Sequence, residues 1–194
     1  KTSLSGIARY RAIGLSIGNK GYVGTGTNED GANEDDFWEY NPTLDTWAQK
    51  ADMPGGSRTA AFAFSIGDKG YAGAGIRKCD FWEYNPASDS WSQRPAFGGG
   101  LRNNTVAFSI GNIGYAGTGS NVTNFADFWE YHPHPVSVDQ YSESPSVYLS
   151  IDPLWTKRAD TLCTTSPGSR LGLGMSKPGA KLHIQKDQNV PNAP

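Results

Sequence analysis

The chain has 194 residues, a formal net charge of -2 and 12% aromatic residues. Its charge is close to neutral and contains no basic block, which argues against a nucleic-acid partner. No apolar run approaches the roughly 18 residues that a membrane span requires. The 24 glycines and 12 prolines, without any amphipathic stretch of helical period, predict an all-β protein with many tight turns.

A seven-residue stretch at residues 36–42, Asp-Phe-Trp-Glu-Tyr-Asn-Pro, recurs almost unchanged at residues 80–86 and 127–133. Self-similarity at about 45 residues indicates one structural unit that is used repeatedly. An arginine is followed nine positions later by a glycine in each copy, which brings three repeats into register. These repeats span about residues 9–57, 58–101 and 102–131.

Each repeat predicts four short strands in chain order. Strand a, which a Gly-Asn or Gly-Asp hairpin turn joins to strand b, covers residues 12–17, 61–66 and 105–110. The variable loops after strand b, of nine, four and seven residues, are residues 27–35, 76–79 and 120–126. Strand c is Phe-Trp-Glu-Tyr and ends at a proline, which lacks a donor for the strand ladder. Strand d carries Trp47 and Trp91, nine positions after the strand-c tryptophan.

Strand alternation places Phe37 and Glu39 on one face of strand c, with Trp38 and Tyr40 on the other. Aromatic residues on both faces are typical of a sheet that packs between two neighbouring sheets. In strand b, glycines two positions apart leave room for a bulky side chain from an adjacent unit. These glycine pairs are Gly24/Gly26, Gly73/Gly75 and Gly117/Gly119. The pattern predicts four-stranded blades packed face to face.

The third repeat breaks after its strand c. Residues 132–151 match nothing earlier and predict an insertion. Residues 152–185 then hold a displaced strand d around Trp155 and the degenerate start of a fourth repeat at Arg170. Residues 186–194 are expected to form a tail.

The glycine pair after a tyrosine, the aromatic strand and a tryptophan six positions beyond the asparagine resemble the kelch repeat. The resemblance covers residues 9–133, and departs in having Gly-Thr-Gly or Gly-Ala-Gly where the family has adjacent glycines. It implies a kelch-type β-propeller with one blade per repeat and ligands held by loops at one mouth of the channel. Residues 171–185 also resemble, loosely, segments that precede the stalk or fibre parts of bacterial surface proteins.

About three blades and a partial fourth are visible, whereas the family usually closes with six or seven. An open array exposes an apolar blade face and strand edges. The chain could be part of a longer propeller, close as a small four-bladed ring, or join a second copy in one ring. The first and third of these are favoured. The start at Lys1, without Met or a signal-like segment, is typical of a processed product or an excised part.

The candidate binding residues lie in the variable loops. They are Asn28, Asp30, Asn33, Arg77, Asn121 and Asn124. The acidic loop at residues 28–36 offers oxygen ligands of the kind calcium prefers, but it lacks the spacing of a known calcium loop, so a solvated loop is favoured. If an ion binds, its expected ligands are Asp30, Asn33 and Asp35. A disulfide between Cys79 and Cys163 and two unpaired thiols are both open.

Other recurring or paired groups have a structural interpretation beside a chemical one. An aspartate precedes strand c in every repeat, at Asp36, Asp80 and Asp127. These aspartates could accept hydrogen bonds from a ligand, but a role as turn caps is favoured. The glutamates expected to pair with Arg9, Arg58 and Arg102, tying one blade to the next, are Glu39, Glu83 and Glu130. His132 and His134 lack a third metal ligand, which favours an exposed insertion.

These features predict a non-catalytic binding module that recognises a protein or a glycan through its variable loops. We expect it to be secreted or displayed on a cell surface. The alternative is a structural repeat subunit of an extracellular filament or fibre, assembled through open blade faces. A copper enzyme like the galactose-oxidase-type kelch proteins ranks third, because only Cys79 matches their Tyr, His and Cys-linked Tyr set. No cofactor is expected unless the acidic loop binds calcium.

Overall fold

The computed structural model describes residues 1–133, 154–157, 161–162 and 173–174. All regular elements in these ranges are β-strands, which confirms the predicted all-β class. They are β1 (Arg9–Tyr10), β2 (Ile13–Ile17), β3 (Lys20–Gly24), β4 (Thr27–Asn28), β5 (Phe37–Asn41), β6 (Thr46–Lys50), β7 (Phe62–Ile66), β8 (Lys69–Gly73), β9 (Phe81–Asn85), β10 (Ser90–Arg94), β11 (Val106–Ile110), β12 (Ile113–Gly117), β13 (Phe128–His132), β14 (Leu154–Lys157), β15 (Thr161–Leu162) and β16 (Leu173–Gly174). Within this part of the chain, no helix is long and apolar enough to cross a membrane.

The strands form three antiparallel meanders, which we call blades. Blade 1 has the order β2-β3-β5-β6 and blade 2 the order β7-β8-β9-β10. Blade 3 has the order β11-β12-β13-β14 and continues into β15 and β16 at its outer edge. β14 is drawn from the segment interpreted as a displaced strand d, and it places Trp155 opposite Tyr131. A separate two-stranded ladder joins β1 to β4.

A two-residue turn joins the first two strands of every blade. Its first residue is a glycine with positive φ, at Gly18 (54°), Gly67 (58°) and Gly111 (59°). Positive φ at the first central position is typical of the primed hairpin turns, whose twist matches that of the flanking strands. The Gly-Asn and Gly-Asp dipeptides therefore fix the register of each hairpin.

The core consists of two aromatic layers, one between each pair of successive blades. Phe37 of blade 1 packs edge-on against Tyr84 and Trp91 of blade 2, at ring-centroid distances of 4.9 and 5.0 Å. Phe81 of blade 2 repeats the arrangement on blade 3, at 4.8 Å from Tyr131 and 4.9 Å from Trp155. Both phenylalanines are fully buried. The strand c of blade 2 thus packs in both directions, with Tyr84 toward blade 1 and Phe81 toward blade 3, because alternate residues of a strand point to opposite faces.

The glycines that receive a neighbouring side chain are not the predicted pairs. A Cβ on Gly24 would overlap Phe37 of its own blade, and Gly26 has a positive φ of 100° against the backbone of Tyr10 and Ala12. The prediction that these glycines make room for a side chain of an adjacent blade is wrong, because the space beside them is filled by their own blade. The glycine that does accommodate a neighbouring side chain, which we call the seat glycine, is the second residue of strand b. A Cβ on Gly70 would stand 2.8 Å from Leu15 Cδ1 of blade 1.

Gly114 is the corresponding seat in blade 3, and Phe64 of blade 2 lies over it. Among the described strands, those of the first and third blades share no contact and the array does not close into a ring. The fold is therefore an open stack of three blades, in which blade 2 is covered on both faces.

The seat glycines allow a matched stability test. Gly114→Val should lower the free energy of unfolding by about 1–3 kcal/mol, because the added carbons overlap the buried ring of Phe64. Gly21→Val, at the equivalent site of blade 1, should be tolerated, since Tyr40 alone among the described residues lies near, with its Cβ at 3.7 Å. Urea denaturation of both variants measures the difference. Equal stability of the two would contradict the proposed packing of Phe64 over Gly114.

Candidate functional site

A buried ion pair anchors the start of strand c in every blade. In blade 2 the Arg58 side chain is fully buried, and its Nη1 and Nη2 donate to Oδ1 and Oδ2 of Asp80, both at 2.7 Å. Trp82 Nε1 donates to the same carboxylate at 2.8 Å. A bidentate guanidinium–carboxylate pair fixes both orientation and distance. We call this arrangement the Arg–Asp–Trp clasp.

The clasp recurs in the other two blades. Arg102 binds Asp127 at 2.5 and 3.1 Å, and Trp129 Nε1 donates to that carboxylate at 2.9 Å. In blade 1 the equivalent members are Arg9, Asp36 and Trp38. Each arginine also donates to a backbone carbonyl oxygen, that of the middle residue of the Gly-x-Gly segment after strand b. These residues are Thr25 (3.1 Å), Ala74 (3.3 Å) and Thr118 (3.1 Å).

The predicted pairing of the repeat arginines with strand-c glutamates is therefore wrong. The arginine instead forms its ion pair with the aspartate that precedes strand c, because this aspartate and the arginine side chain lie at the same end of the blade. The glutamates lie within the strand, opposite the tyrosine of strand b. Glu39 accepts hydrogen bonds from Lys20 (2.9 Å) and Tyr22 (2.8 Å). Glu83 pairs with Arg94 at 2.8 Å.

Both carboxylate oxygens of each clasp aspartate accept hydrogen bonds from arginine, and one of them also accepts from tryptophan, so these aspartates have a structural role in the blade. Burial opposes ionisation of Asp80, but hydrogen bonds from Arg58 and Trp82 outweigh it and lower the pKa of Asp80 below its usual value. The hydrogen bond from Arg102 is the main cause that lowers the pKa of Asp127. The carboxylates are thus held ionised by their partners.

The clasp arginines also connect successive blades through their backbone. The Gly26 amide of blade 1 donates to the carbonyl oxygen of Arg58 at 2.8 Å, and the Gly75 amide of blade 2 donates to that of Arg102 at 3.1 Å. These glycines begin the variable loops. The loops of blades 1 and 2 are therefore fastened at their bases both to their own blade and to the next one, so that variation is concentrated at the loop tips.

The predicted binding residues occupy different environments within these loops. Asp30, Arg77, Asn121 and Asn124 are exposed, as expected of ligand contacts. Asn28 is buried; its side chain donates to Glu34 at 2.8 Å and accepts from the Ala32 amide at 2.9 Å. Asn28 thus holds the conformation of the loop through internal hydrogen bonds, and its side chain is not part of the exposed loop surface.

Asn33 is exposed, but its Oδ1 accepts a hydrogen bond from Thr27 Oγ1 at 2.9 Å. Asp35 is half-buried, and its carbonyl oxygen accepts from the Met53 amide at 2.8 Å. The described residues contain no group of three or more His, Cys, Asp or Glu side chains that could hold a metal ion. The calcium interpretation of Asp30, Asn33 and Asp35 stays a prediction.

Cys79 is a half-buried free thiol, and its carbonyl oxygen accepts from the Phe97 amide at 2.8 Å. His132 Nε2 lies 3.5 Å from Glu130 Oε2. Cys163, considered for a disulfide, and His134, considered as a metal ligand, lie outside the described residues. The backbone of Cys79 therefore anchors the segment around Phe97, which leads from blade 2 to blade 3.

Two features of the surface were not predicted from the sequence. Ile76 and Val122 are exposed at the tips of their loops, beside Arg77 and Asn121. The sequence signal that could have predicted these exposed residues is the presence of an apolar residue within an otherwise polar loop. At the opposite end, an open cleft of about 310 Å³ lies between blades 2 and 3. Its charged lining residues are Asp68, Lys69, Glu83 and Arg94.

A scan against protein-family models finds no match to the chain, and a search of curated proteins finds none.

The clasp predicts a defined response to acid. The lowered pKa of Asp80 means that the unfolded chain binds more protons than the folded one near pH 4. This part of the stability is complete above the unfolded pKa of about 3.9 and is lost as the pH falls through the lower folded pKa. Asp80→Asn should remove about 3 kcal/mol at neutral pH, because Arg58 stays buried without its carboxylate, and should flatten the acid limb.

Chemical denaturation between pH 7 and pH 3 measures both effects. Asp30→Asn is the matched control, since Asp30 is an exposed loop carboxylate, and it should keep the wild-type profile. An Asp80→Asn protein as stable as the wild type at neutral pH would show that the clasp contributes nothing.

Proposed function

We propose that the chain is a non-catalytic binding module built of kelch-type blades, which recognises a protein through the loops that follow the second strand of each blade. The observation that carries this proposal is the contrast between anchor and loop. The same clasp recurs under loops of nine, four and seven residues. A constant scaffold that presents variable loops at one end is the usual construction of a recognition surface.

The composition of the loop tips favours a protein partner over a glycan. Ile76 and Val122 are exposed beside Arg77, Asn121 and Asn124, which gives a surface of mixed apolar, charged and amide character. Such mixtures suit protein recognition, where arginine and apolar anchors supply most of the binding energy. Sugar recognition would use exposed aromatic faces, whereas the strand-c tryptophans nearest this end are half-buried and are held in place by their hydrogen bonds to the clasp carboxylates.

The strand-c carboxylates support a non-catalytic assignment. The aspartates are held ionised by arginine, and Glu39 and Glu83 are paired with Lys20 and Arg94. Groups fixed in repeated ion pairs contribute to the scaffold of each blade and are poorly suited to proton transfer. A module of this kind would act outside the cell, as a secreted or surface-displayed protein.

A second candidate function is a structural subunit of an extracellular filament or fibre. One observation favours it. The outward face of blade 3, around Phe108, is exposed although the same face of blades 1 and 2 is buried. Successive copies that assemble through that face would build such a filament.

Loop substitutions test the binding proposal. A variant carrying Arg77→Ala, Asn121→Ala and Asn124→Ala should lose about tenfold or more of its affinity for captured partners, a loss of about 1.4 kcal/mol. Its melting temperature should not change, because exposed loop residues contribute little to stability. The immobilised wild type and variant are compared by quantitative mass spectrometry of surface proteins that they retain from the source organism.

The matched control places the same kind of change at the opposite end of the blades. Asn112→Ala lies in the exposed turn between β11 and β12 and should retain every partner. Equal retention by the loop variant and the wild type would refute recognition through these loops. A glycan array that gives a loop-dependent signal, without any retained protein, would replace the protein partner by a sugar.

A further inference from the structure

Blade 3 exposes a face that is buried in the other two blades. Phe108 is 42% exposed, whereas the equivalent Phe64 of blade 2 is 3% exposed. Ile110 is 64% exposed, against 7% for Ile66. Phe108 stacks on Tyr115 at 5.5 Å and lies 5.5 Å from Phe128, so the surface is a continuous aromatic patch. We call Val106, Phe108, Ile110, Tyr115 and Phe128 the open face.

The interfaces within the molecule show which surface covers this kind of face. In both, a tyrosine of strand c and a tryptophan of strand d from the following blade pack on the strand-c phenylalanine of the preceding blade. This phenylalanine is Phe37 in one interface and Phe81 in the other, and Phe128 is its equivalent in blade 3. Tyr84 and Trp91 form one such pair, with centroids 5.0 Å apart and an interplanar angle of 48°. Tyr131 and Trp155 form the other, at 5.1 Å and 43°.

Blade 1 carries the same pair on its outer side. Tyr40 and Trp47 stand 4.9 Å apart at 40°, in the geometry of the two buried pairs. The Tyr40 hydroxyl donates to Asp45 at 2.6 Å, as that of Tyr84 donates to Asp89 at 2.8 Å. Tyr40 is only half-buried, whereas Tyr84 and Tyr131 are fully buried. The surface that covers an open face is thus present, preformed, at the other end of the stack.

The seat glycine of blade 1 completes the match. Leu15 lies over Gly70, and Phe64 lies over Gly114, at the two existing interfaces. Gly21 occupies the same position in blade 1, and a Cβ added there would meet only Tyr40 of its own blade among the described residues. Phe108 is the residue of blade 3 that corresponds to Leu15 and Phe64. Among the three described blades, the seat glycine without a neighbouring side chain over it is therefore Gly21 of blade 1.

The polar edge of the interface is already satisfied on blade 1. Between blades 1 and 2, the Ala51 amide donates to Asp89, and its carbonyl oxygen accepts from Trp91, both at 2.9 Å. On blade 1, Thr2 makes the same two hydrogen bonds, to Asp45 at 3.1 Å and from Trp47 at 3.3 Å. Docking on this side would therefore bury apolar surface and would leave none of these polar groups unpaired, because Thr2 already hydrogen-bonds to them.

We propose that a second copy of this chain docks the outer side of its blade 1 on the open face of blade 3. Phe108 of one copy packs over Gly21 of the other, and Phe128 packs against Tyr40 and Trp47. The interface joins two different surfaces, so it is heterologous, and it either closes into a ring or extends into a filament. This assembly does not depend on the loops, so it can fail while recognition through the loops stands.

Light scattering after size exclusion at micromolar concentration tests the assembly. The wild type should have a mass of at least two 20.9 kDa chains. Gly21→Val, which fits within a single copy, and Phe108→Asp should each give monomers. Leu101→Asp is the matched control, since Leu101 is 47% exposed outside both the open face and the variable loops, and it should assemble as the wild type does.

Mixing the two blocked variants decides the orientation. Gly21→Val keeps an intact open face, and Phe108→Asp keeps an intact blade 1, so together they should form a one-to-one heterodimer. A monomeric wild type, an assembled Gly21→Val protein, or a mixture that stays monomeric would each overturn the proposal. Circular dichroism and thermal melting verify that the variants fold, and Gly21→Val carries the test if Phe108→Asp does not.

Discussion

The structure depends on the buried pair between an arginine and the aspartate that precedes strand c. Removing a guanidinium and a carboxylate from water is unfavourable by several kcal/mol for each ion, unless excellent geometry offsets it. Here the bidentate contact, the tryptophan N–H and the loop carbonyl provide that geometry. Arg58 is buried more completely than any other charged side chain in the described residues. The clasp converts a potentially destabilising charge into a fixed point from which strand c starts.

The aromatic layers depend on that starting point. Because side chains alternate along a strand, a shift of strand c by one residue would move Phe81 away from Tyr131 and place Trp82 in the layer instead. The clasp holds Asp80 and Trp82 together and so sets which face Phe81 occupies. Hydrophobic burial supplies most of the stability, but the ion pair specifies the register in which that burial occurs.

Much of the fold followed from the repeat itself. Period-two alternation placed Phe37 and Tyr40 on opposite faces, and the Gly-Asn turns marked the hairpins, because both signals are local. The partner of each arginine was not predictable in this way. Aspartate and glutamate lie three positions apart in every repeat, and only the three-dimensional end of the blade distinguishes them. The seat at Gly21 was missed for a similar reason, since a glycine that is crowded by its own blade looks the same in sequence as one that faces a neighbour.

The hydrogen bonds from Gly26 to Arg58 and from Gly75 to Arg102 bear on how the stack unfolds. One arginine holds its own blade through its side chain and the preceding blade through its carbonyl oxygen. Fraying of either blade therefore weakens the other. In a linear array with nearest-neighbour coupling, strong interfaces make the units melt together rather than singly. We expect the three blades to behave as one cooperative unit, despite being assembled from three nearly identical parts.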